Sequence, residues 1–310
     1  MHAQHGLRIE WRMPRKKALP DHRDHRGRDQ DLRIAREIRL VDLAAGNAEL
    51  DQCAHAGHPA RDHLAVVEVG HRRKARPFRH DQPDEIAGRH RGWGFQATTL
   101  QIGTGLESDR EAAALVEAVL EASERRAYPL YVETHRATLT QDIRRTLDLV
   151  ARFPELRFTA DLSHWYTGHD LPNGDVEAKL ALLAPVFARV RFVHGRIGDS
   201  GCMQAPVATA AASDIRNFRA MWRLCFEGFL ESAGPGDVIV FAPELLPAAA
   251  EIGGRVYRLN YARMGPDGEE ESDRWDEARV LCAMARECFD PASATVRRRR
   301  LGPDARRTGT

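Results

Sequence analysis

Four apolar runs of the chain each end on a side chain that can bind a metal ion. YPLYVE ends at Glu133, LRFTAD at Asp161, VRFVH at His194 and VIVFAPE at Glu244. Three carboxylates and one imidazole form a hard, oxygen-rich ligand set, which suits Mn²⁺, Mg²⁺ or Co²⁺ and also admits Zn²⁺. Any one of these acids could instead cap its strand or pair with an arginine. Because the arrangement occurs four times, it favours a shared metal site.

Three further polar residues lie close to these run ends. Arg196 and His135 each come two residues after a predicted ligand, and side chains alternate along a strand, so both should face the same cavity as the ligands. His164 follows Asp161 by three residues, and the next loop could bring it over the site. The guanidinium fork of Arg196 suits a phosphate or polyol oxygen. Each of the three could equally be a hydrogen-bonding residue at a strand end.

The elements that must position these residues alternate between strand-like and helical patterns, which indicates parallel strands joined by crossover helices. Predicted strands span Gln96–Ile102, Tyr128–Glu133, Leu156–Asp161, Val190–His194 and Val238–Glu244. One predicted helix begins at Ser108, which opens a capping-box pattern, and another begins at Thr138. Three more predicted helices span 176–188, 214–230 and 273–288. In a barrel of parallel strands the carboxyl ends meet at one rim, so distant residues become neighbours there. The 50-residue interval from His194 to Glu244 requires a long loop or an additional short strand.

The segments YVETHR, TADLSHW, FVHGRIG and FAPEL resemble the sugar phosphate isomerase/epimerase branch of the xylose-isomerase-like barrels. The resemblance covers roughly residues 96–288. It implies a (β/α)8 TIM-barrel fold and a divalent ion bound by Glu133, Asp161, His194 and Glu244. It also implies that the two glutamates move a proton next to a carbonyl, through an enediolate, and that His164 and Arg196 bind substrate. The expected function is therefore isomerisation or epimerisation of a small sugar or sugar phosphate.

Composition divides the chain into three parts. Ten of the 14 histidines precede Trp93, in a stretch that is also dense in Arg and Asp, so we expect residues 1–92 to be poorly ordered. Two apolar islands there could form a short helix (Leu32–Leu43) and a short strand (Leu64–Val69). Residues 93–290 carry the α/β pattern, and residues 291–310 suggest a flexible basic tail. We therefore expect an incomplete barrel with atypical N-terminal strands, unless residues 1–92 come from an altered reading frame.

Charge and cysteine content limit the partners and the location. The formal net charge of +1 provides no field that would attract nucleic acid. Five scattered cysteines without a CxxC pair argue against a disulfide framework and suit a reducing cytoplasm. The sequence contains no long apolar segment typical of a signal peptide or membrane span. A homo-oligomer is compatible with an incomplete barrel, whose open edges would need a partner.

Several other functions would each use some features of this sequence. The main alternative is a non-catalytic or defective barrel remnant that binds metal. An endonuclease-IV-like nuclease would need more histidine and acidic ligands than this region offers. A Schiff-base aldolase would need a lysine at a strand end, but Lys179, the one lysine after Trp93, lies on a predicted helix. Weaker signals are a nucleotide-binding turn at Gly103-Thr104-Gly105, a zinc cluster of Cys53, His55, His58 and His63, and RNA binding by Arg297–Arg300.

Overall fold

The computed structural model describes residues 8–11, 64–69, 81–234, 237–252, 255–259 and 261–301. The predicted helix at Leu32–Leu43 and the zinc cluster at Cys53–His63 lie outside these residues. The described strands are β1 (Arg8–Trp11), β2 (Leu64–Val69), β3 (Ala97–Ile102), β4 (Leu130–Glu133), β5 (Phe158–Asp161), β6 (Val190–Gly195), β7 (Val238–Pro243), β8 (Ala249–Ile252) and β9 (Arg255–Arg258). The helices are α1 (Gln82–Gly92), α2 (Asp109–Arg126), α3 (Ile143–Arg152), α4 (Ser163–Gly168), α5 (Val176–Leu182), α6 (Ala184–Phe187), α7 (Ala212–Ser232) and α8 (Arg274–Leu301).

The chain divides into two compact units, and the boundary falls within β5. The first unit, here called the ligand unit, consists of residues 1–13, 160–245 and 261–310. The second unit consists of residues 14–159 and 246–260.

In the second unit, β2, β3, β4 and the first half of β5 pair in parallel, with Leu64 opposite Ala97 and Val132 opposite Phe158. All six residues of β3 are buried, as expected for a parallel strand that is covered on both faces. Helix α2 begins with the predicted capping box, in which Ser108 and Glu111 bond each other's backbone amides. The separate hairpin of β8 and β9 is antiparallel.

The glycine turn after β3 has a structural role. Gly103 and Gly105 both have positive φ, at 69° and 82°, a conformation that glycine adopts without steric cost. The amides of Thr104 and Gly105 donate to the carboxylate of Glu107, at 2.6 and 2.8 Å. The turn therefore binds an acidic side chain of its own, which supports its interpretation as a tight strand-to-helix connection.

In the ligand unit, β1 and β6 both pair in parallel with β7. The long helices α7 and α8 pack against each other, and α7 also packs against β6. Aromatic side chains fill this core: the ring of Trp222 on α7 lies 5.1 Å from that of Phe241 on β7. The interval between His194 and Glu244 contains a long loop followed by α7, in agreement with the expected long connection.

The sheet does not close among the described residues, because β1 has β7 as its one neighbour and β2 has β3. An α/β fold with parallel strands and an incomplete barrel is therefore confirmed. The short strand expected at Leu64–Val69 is present as β2, and the chain before Gln96 also contributes strand β1 and helix α1, which were not predicted. Strand β1 has only four residues, which is why its pattern is weak in the sequence.

Two helices differ from their predicted bounds. The single helix expected over 176–188 is two short helices, α5 and α6, because Pro185 lacks an amide hydrogen and begins a new helix. The helix expected to end at Cys288 continues to Leu301, into the predicted basic tail. Buried Ala292 and Val296 extend its apolar stripe, which accounts for the longer helix. No described helix is both long enough and apolar enough to cross a membrane.

Candidate metal centre

Strand pairing in the ligand unit brings three of the predicted ligands together. Asp161 is the last residue of β5, His194 lies near the end of β6, and Glu244 directly follows β7. His194 stands opposite Ala242 in the parallel register, and the amide of Glu244 donates to the carbonyl of Gly195 at 3.3 Å. Ligand-capable atoms of Asp161, His194 and Glu244 all lie within 4.8 Å of one another. At 0%, 3% and 6% exposure, all three are buried.

The two carboxylate oxygens of Asp161 have different partners. Oδ1 accepts hydrogen bonds from the hydroxyl of Ser163 at 2.6 Å and from its backbone amide at 3.2 Å. Oδ2 accepts from Nη2 of Arg196 at 2.5 Å and lies 3.3 Å from Nε2 of His164. The turn at the start of α4 therefore orients Asp161, and the opposite oxygen faces the other site residues.

Arg196 also contacts the second acid of the cluster. The same nitrogen, Nη2, donates to Oε2 of Glu244, and this oxygen lies 3.2 Å from Nδ1 of His194. Arg196 is only 1% exposed, so its charge is neutralised inside the protein and not by solvent. One guanidinium nitrogen thus bridges two buried carboxylates.

This bridge determines the ionisation of both acids. Burial by itself would raise the pKa of Asp161, but the charge of Arg196, with smaller contributions from His164 and His194, brings it well below its ordinary value. Burial likewise opposes ionisation of Glu244, yet Arg196 and His194 lower its pKa to about 2. Both carboxylates are therefore ionised near neutral pH, which is the form that binds a cation.

Tyr261 forms a wall of the centre that the sequence did not indicate. The guanidinium carbon of Arg196 lies 5.1 Å from the centre of its ring, and the ring of His164 meets it edge-on at 6.1 Å. Cys202 Sγ donates to the carbonyl of Tyr261 at 3.3 Å. No metal-binding or strand-end pattern surrounds Tyr261, so only the fold brings it to the centre.

Glu133 and His135 belong to the second unit. Glu133 ends β4 and is buried, and its Oε2 accepts a 2.9 Å hydrogen bond from the amide of Gln101. The ring Nδ1 of half-buried His135 lies 2.5 Å from the carbonyl of Arg136, and its backbone amide donates to Thr140 Oγ1 at 3.1 Å. The predicted roles of Glu133 in metal binding and of His135 in substrate binding remain predictions.

Two supporting residues could have been found from sequence. Ser163 follows Asp161 by two residues, a spacing at which an aspartate commonly accepts a bond from the backbone ahead of it. Gln101 is the one amide side chain in the buried strand β3, and a buried amide requires a hydrogen-bond partner. Neither side chain is charged, and neither is of a residue type from which a metal site is predicted.

The chemistry of the centre fits a divalent cation. Asp161 and Glu244 provide ionised oxygens and His194 provides an imidazole nitrogen, a combination that Mn²⁺, Mg²⁺, Co²⁺ and Zn²⁺ all accept. Buried carboxylates at this spacing repel each other unless positive charge lies between them. The cluster can therefore bind a metal ion.

Comparison with known proteins does not assign this chain to a family. No protein-family model matches the chain, and no curated protein matches it. One similar solved structure is the probable 3-DHS dehydratase AsbF from Bacillus anthracis, involved in petrobactin synthesis, with 18% identity, a TM-score of 0.33 and coverage of 44% of this chain and 51% of that one. Another is the IOLI protein with a binding zinc atom, with 11% identity, a TM-score of 0.40 and 86% coverage of both chains. The chain spans about half the length of the first of these, and similarity at this level does not assign a family.

Proposed function

We propose that this protein is a divalent-metal-dependent isomerase or epimerase of a small sugar or sugar phosphate, working in the cytoplasm. The observation that carries the proposal is the buried cluster of Asp161, His194 and Glu244, whose ligand atoms lie within 4.8 Å of one another. Each of the three stands at the carboxyl end of a parallel strand, the position from which barrel enzymes build their active sites. The oxygen-rich set favours Mn²⁺, Mg²⁺ or Co²⁺, with Zn²⁺ also admissible.

Glu133 is the proposed fourth ligand. Like the other three, it is a metal-capable side chain at the carboxyl end of a parallel strand. It ends β4 opposite Thr159, and Thr159 lies two residues before Asp161 on β5. The bond from Gln101 at 2.9 Å holds one carboxylate oxygen of Glu133 in a single orientation. A ligand fixed in this way loses little freedom when it binds an ion.

The residues divide the chemistry between them. A bound divalent ion would polarise the carbonyl and the neighbouring hydroxyl of the sugar and so acidify the adjacent C–H bond. Glu133 and Glu244 are the proposed pair that removes and returns the proton, while Asp161 and His194 mainly act as ligands. His164, Arg196 and His135 are proposed to bind the hydroxyl or phosphate oxygens of the substrate.

A second candidate is a barrel remnant that binds metal without turnover. The observation in its favour is that the sheet is open among the described residues, where β1 and β2 each have a single neighbouring strand. An open strand edge can pair with another chain instead of closing the barrel around a substrate. Metal binding alone therefore does not separate the two candidates.

The decisive experiment measures metal content and proton exchange together. Purified wild type, Glu133→Gln and Glu244→Gln are analysed for bound metal, and each is incubated in deuterated water with a panel of ketoses and ketose phosphates. We expect deuterium to enter one substrate next to its carbonyl with wild type, and both variants to lose at least about a hundredfold in rate, the typical contribution of a positioned base. Glu227→Gln is the matched control, because Glu227 is also buried but pairs with Arg223 on α7.

Two results would refute parts of this proposal. Bound metal without deuterium entry into any ketose would favour the remnant. Full exchange by Glu133→Gln would remove Glu133 from the proton-transfer pair.

A further inference from the structure

The guanidinium of Arg196 occupies the position that a cation would take between the two acids of the centre. Its Nη2 lies 2.5 Å from Oδ2 of Asp161 and also donates to Oε2 of Glu244. Metal–oxygen distances for carboxylate ligands are about 2.0–2.2 Å for Zn²⁺ and Mg²⁺. An ion bound to both oxygens would therefore lie close to the place where Nη2 is found.

The carboxylate of Asp161 offers no simple way to bind Arg196 and a metal ion at the same time. Ser163 holds Oδ1 through its hydroxyl and its amide, at 2.6 and 3.2 Å. Oδ2 is thus the oxygen turned towards the cluster, and Arg196 bonds this oxygen. Two cations in contact at a buried site repel strongly, because little solvent screens them.

We propose that Arg196 is an internal cation that exchanges with the divalent ion: it neutralises Asp161 and Glu244 in the metal-free protein and leaves them when metal binds. The inference rests on the proposed metal site. Tyr261 provides a place for the displaced charge, because its ring already lies 5.1 Å from the guanidinium carbon, within the range of a cation–π interaction. Metal affinity is therefore set by competition with a side chain of the same protein.

A different role for Arg196 predicts the opposite effect. If Arg196 merely donated hydrogen bonds to carboxylates that remain metal ligands, it would orient them, and its removal would weaken metal binding. If it competes, its removal strengthens binding. The sign of the change in affinity decides between the two roles.

The test compares the Kd for Mn²⁺ and Zn²⁺, by titration calorimetry after chelation, in wild type, Arg196→Met and Arg263→Met. Arg263→Met is the matched control, because Arg263 pairs with Asp199 and does not bond the ligand carboxylates. We expect Arg196→Met to bind metal about tenfold or more tightly, because the metal ion no longer has to displace the guanidinium from Asp161 and Glu244. We expect the control to bind as wild type does. Unchanged or weaker binding by Arg196→Met overturns the proposal.

A second measurement covers the case in which Arg196→Met does not fold. Nitrogen-15 NMR of the wild type follows the arginine guanidinium signals, with Arg196→Lys identifying the signal of Arg196. We expect this signal to shift when diamagnetic Zn²⁺ saturates the protein, because its carboxylate bonds are lost. A signal that does not move at saturation overturns the exchange.

Failure of the proposed function would look different. Tighter metal binding by Arg196→Met, without deuterium entry into any ketose, supports the exchange and refutes the isomerase. Deuterium entry in the wild type, with equal metal affinity in wild type and Arg196→Met, supports the isomerase and refutes the exchange. Absence of metal binding in every variant refutes both.

Discussion

Replacing Asp161 with asparagine should destabilise the metal-free protein by about 3 kcal/mol. Removal of one partner from a buried ion pair costs about 3–5 kcal/mol, because the remaining charge is left uncompensated. The lower end applies here, since Arg196 keeps Glu244 as a second partner. Asparagine has nearly the same shape, and its carbonyl can still accept the bonds from Ser163. The loss therefore isolates the charge interactions of Asp161 with Arg196 and His164.

The assay is urea unfolding at pH 7 in the presence of a chelator, followed by tryptophan fluorescence. Asp214→Asn is the matched control, because Asp214 is also buried but accepts its 2.6 Å hydrogen bond from a neutral group, the hydroxyl of Tyr166. The control should lose about 1 kcal/mol, the usual net value of one hydrogen bond. A loss in Asp161→Asn no larger than in the control would refute the claim that a buried charge pair holds the centre together.

Two further predictions concern stability away from the centre. His90 is fully buried and its Nδ1 lies 2.9 Å from Thr98 Oγ1; burial, helped by the charge of Arg89, lowers its pKa from 6.5 to about 3. Neutral His90 therefore contributes at most about 5 kcal/mol to the free energy of unfolding above pH 6.5, and this contribution is lost as the pH falls towards 3. In urea unfolding, the stability of His90→Gln should depend less on pH in that window than the stability of the wild type. Gly228→Ala should destabilise the protein by about 1–3 kcal/mol in urea unfolding, although alanine favours helix. The added Cβ would lie 2.6 Å from the Cα of Ala188. The control is Gly168→Ala, whose Cβ would meet nothing within 4 Å.

Much of the centre could be predicted from the chain because parallel strands follow a simple rule. A polar residue that ends a buried apolar run lies at the carboxyl end of a strand, and those ends share one edge of the sheet. Asp161, His194 and Glu244 follow this rule, and their ligand atoms lie within 4.8 Å of one another. The capping box at Ser108 was equally visible, because it depends on residues only three apart.

Other features could not be predicted because they depend on contacts between distant segments. Tyr261 reaches the centre through the long segment that follows Glu244, and no local pattern records that path. The length of α8 depends on packing of Ala292 and Val296, which a basic sequence conceals. Strand β1 is only four residues long, and its pairing with β7 stabilises it more than its own composition does.

The sequence by itself determined the kinds of groups present and the order in which strands deliver them, since residue type and periodicity are local properties. Only the tertiary structure decided their charge relations. Arg196 was predicted as a substrate-binding residue, yet the fold places one of its nitrogens against both Asp161 and Glu244. The physical reason is that electrostatic energy depends on distances of a few ångströms and on exclusion of water, and packing alone determines both.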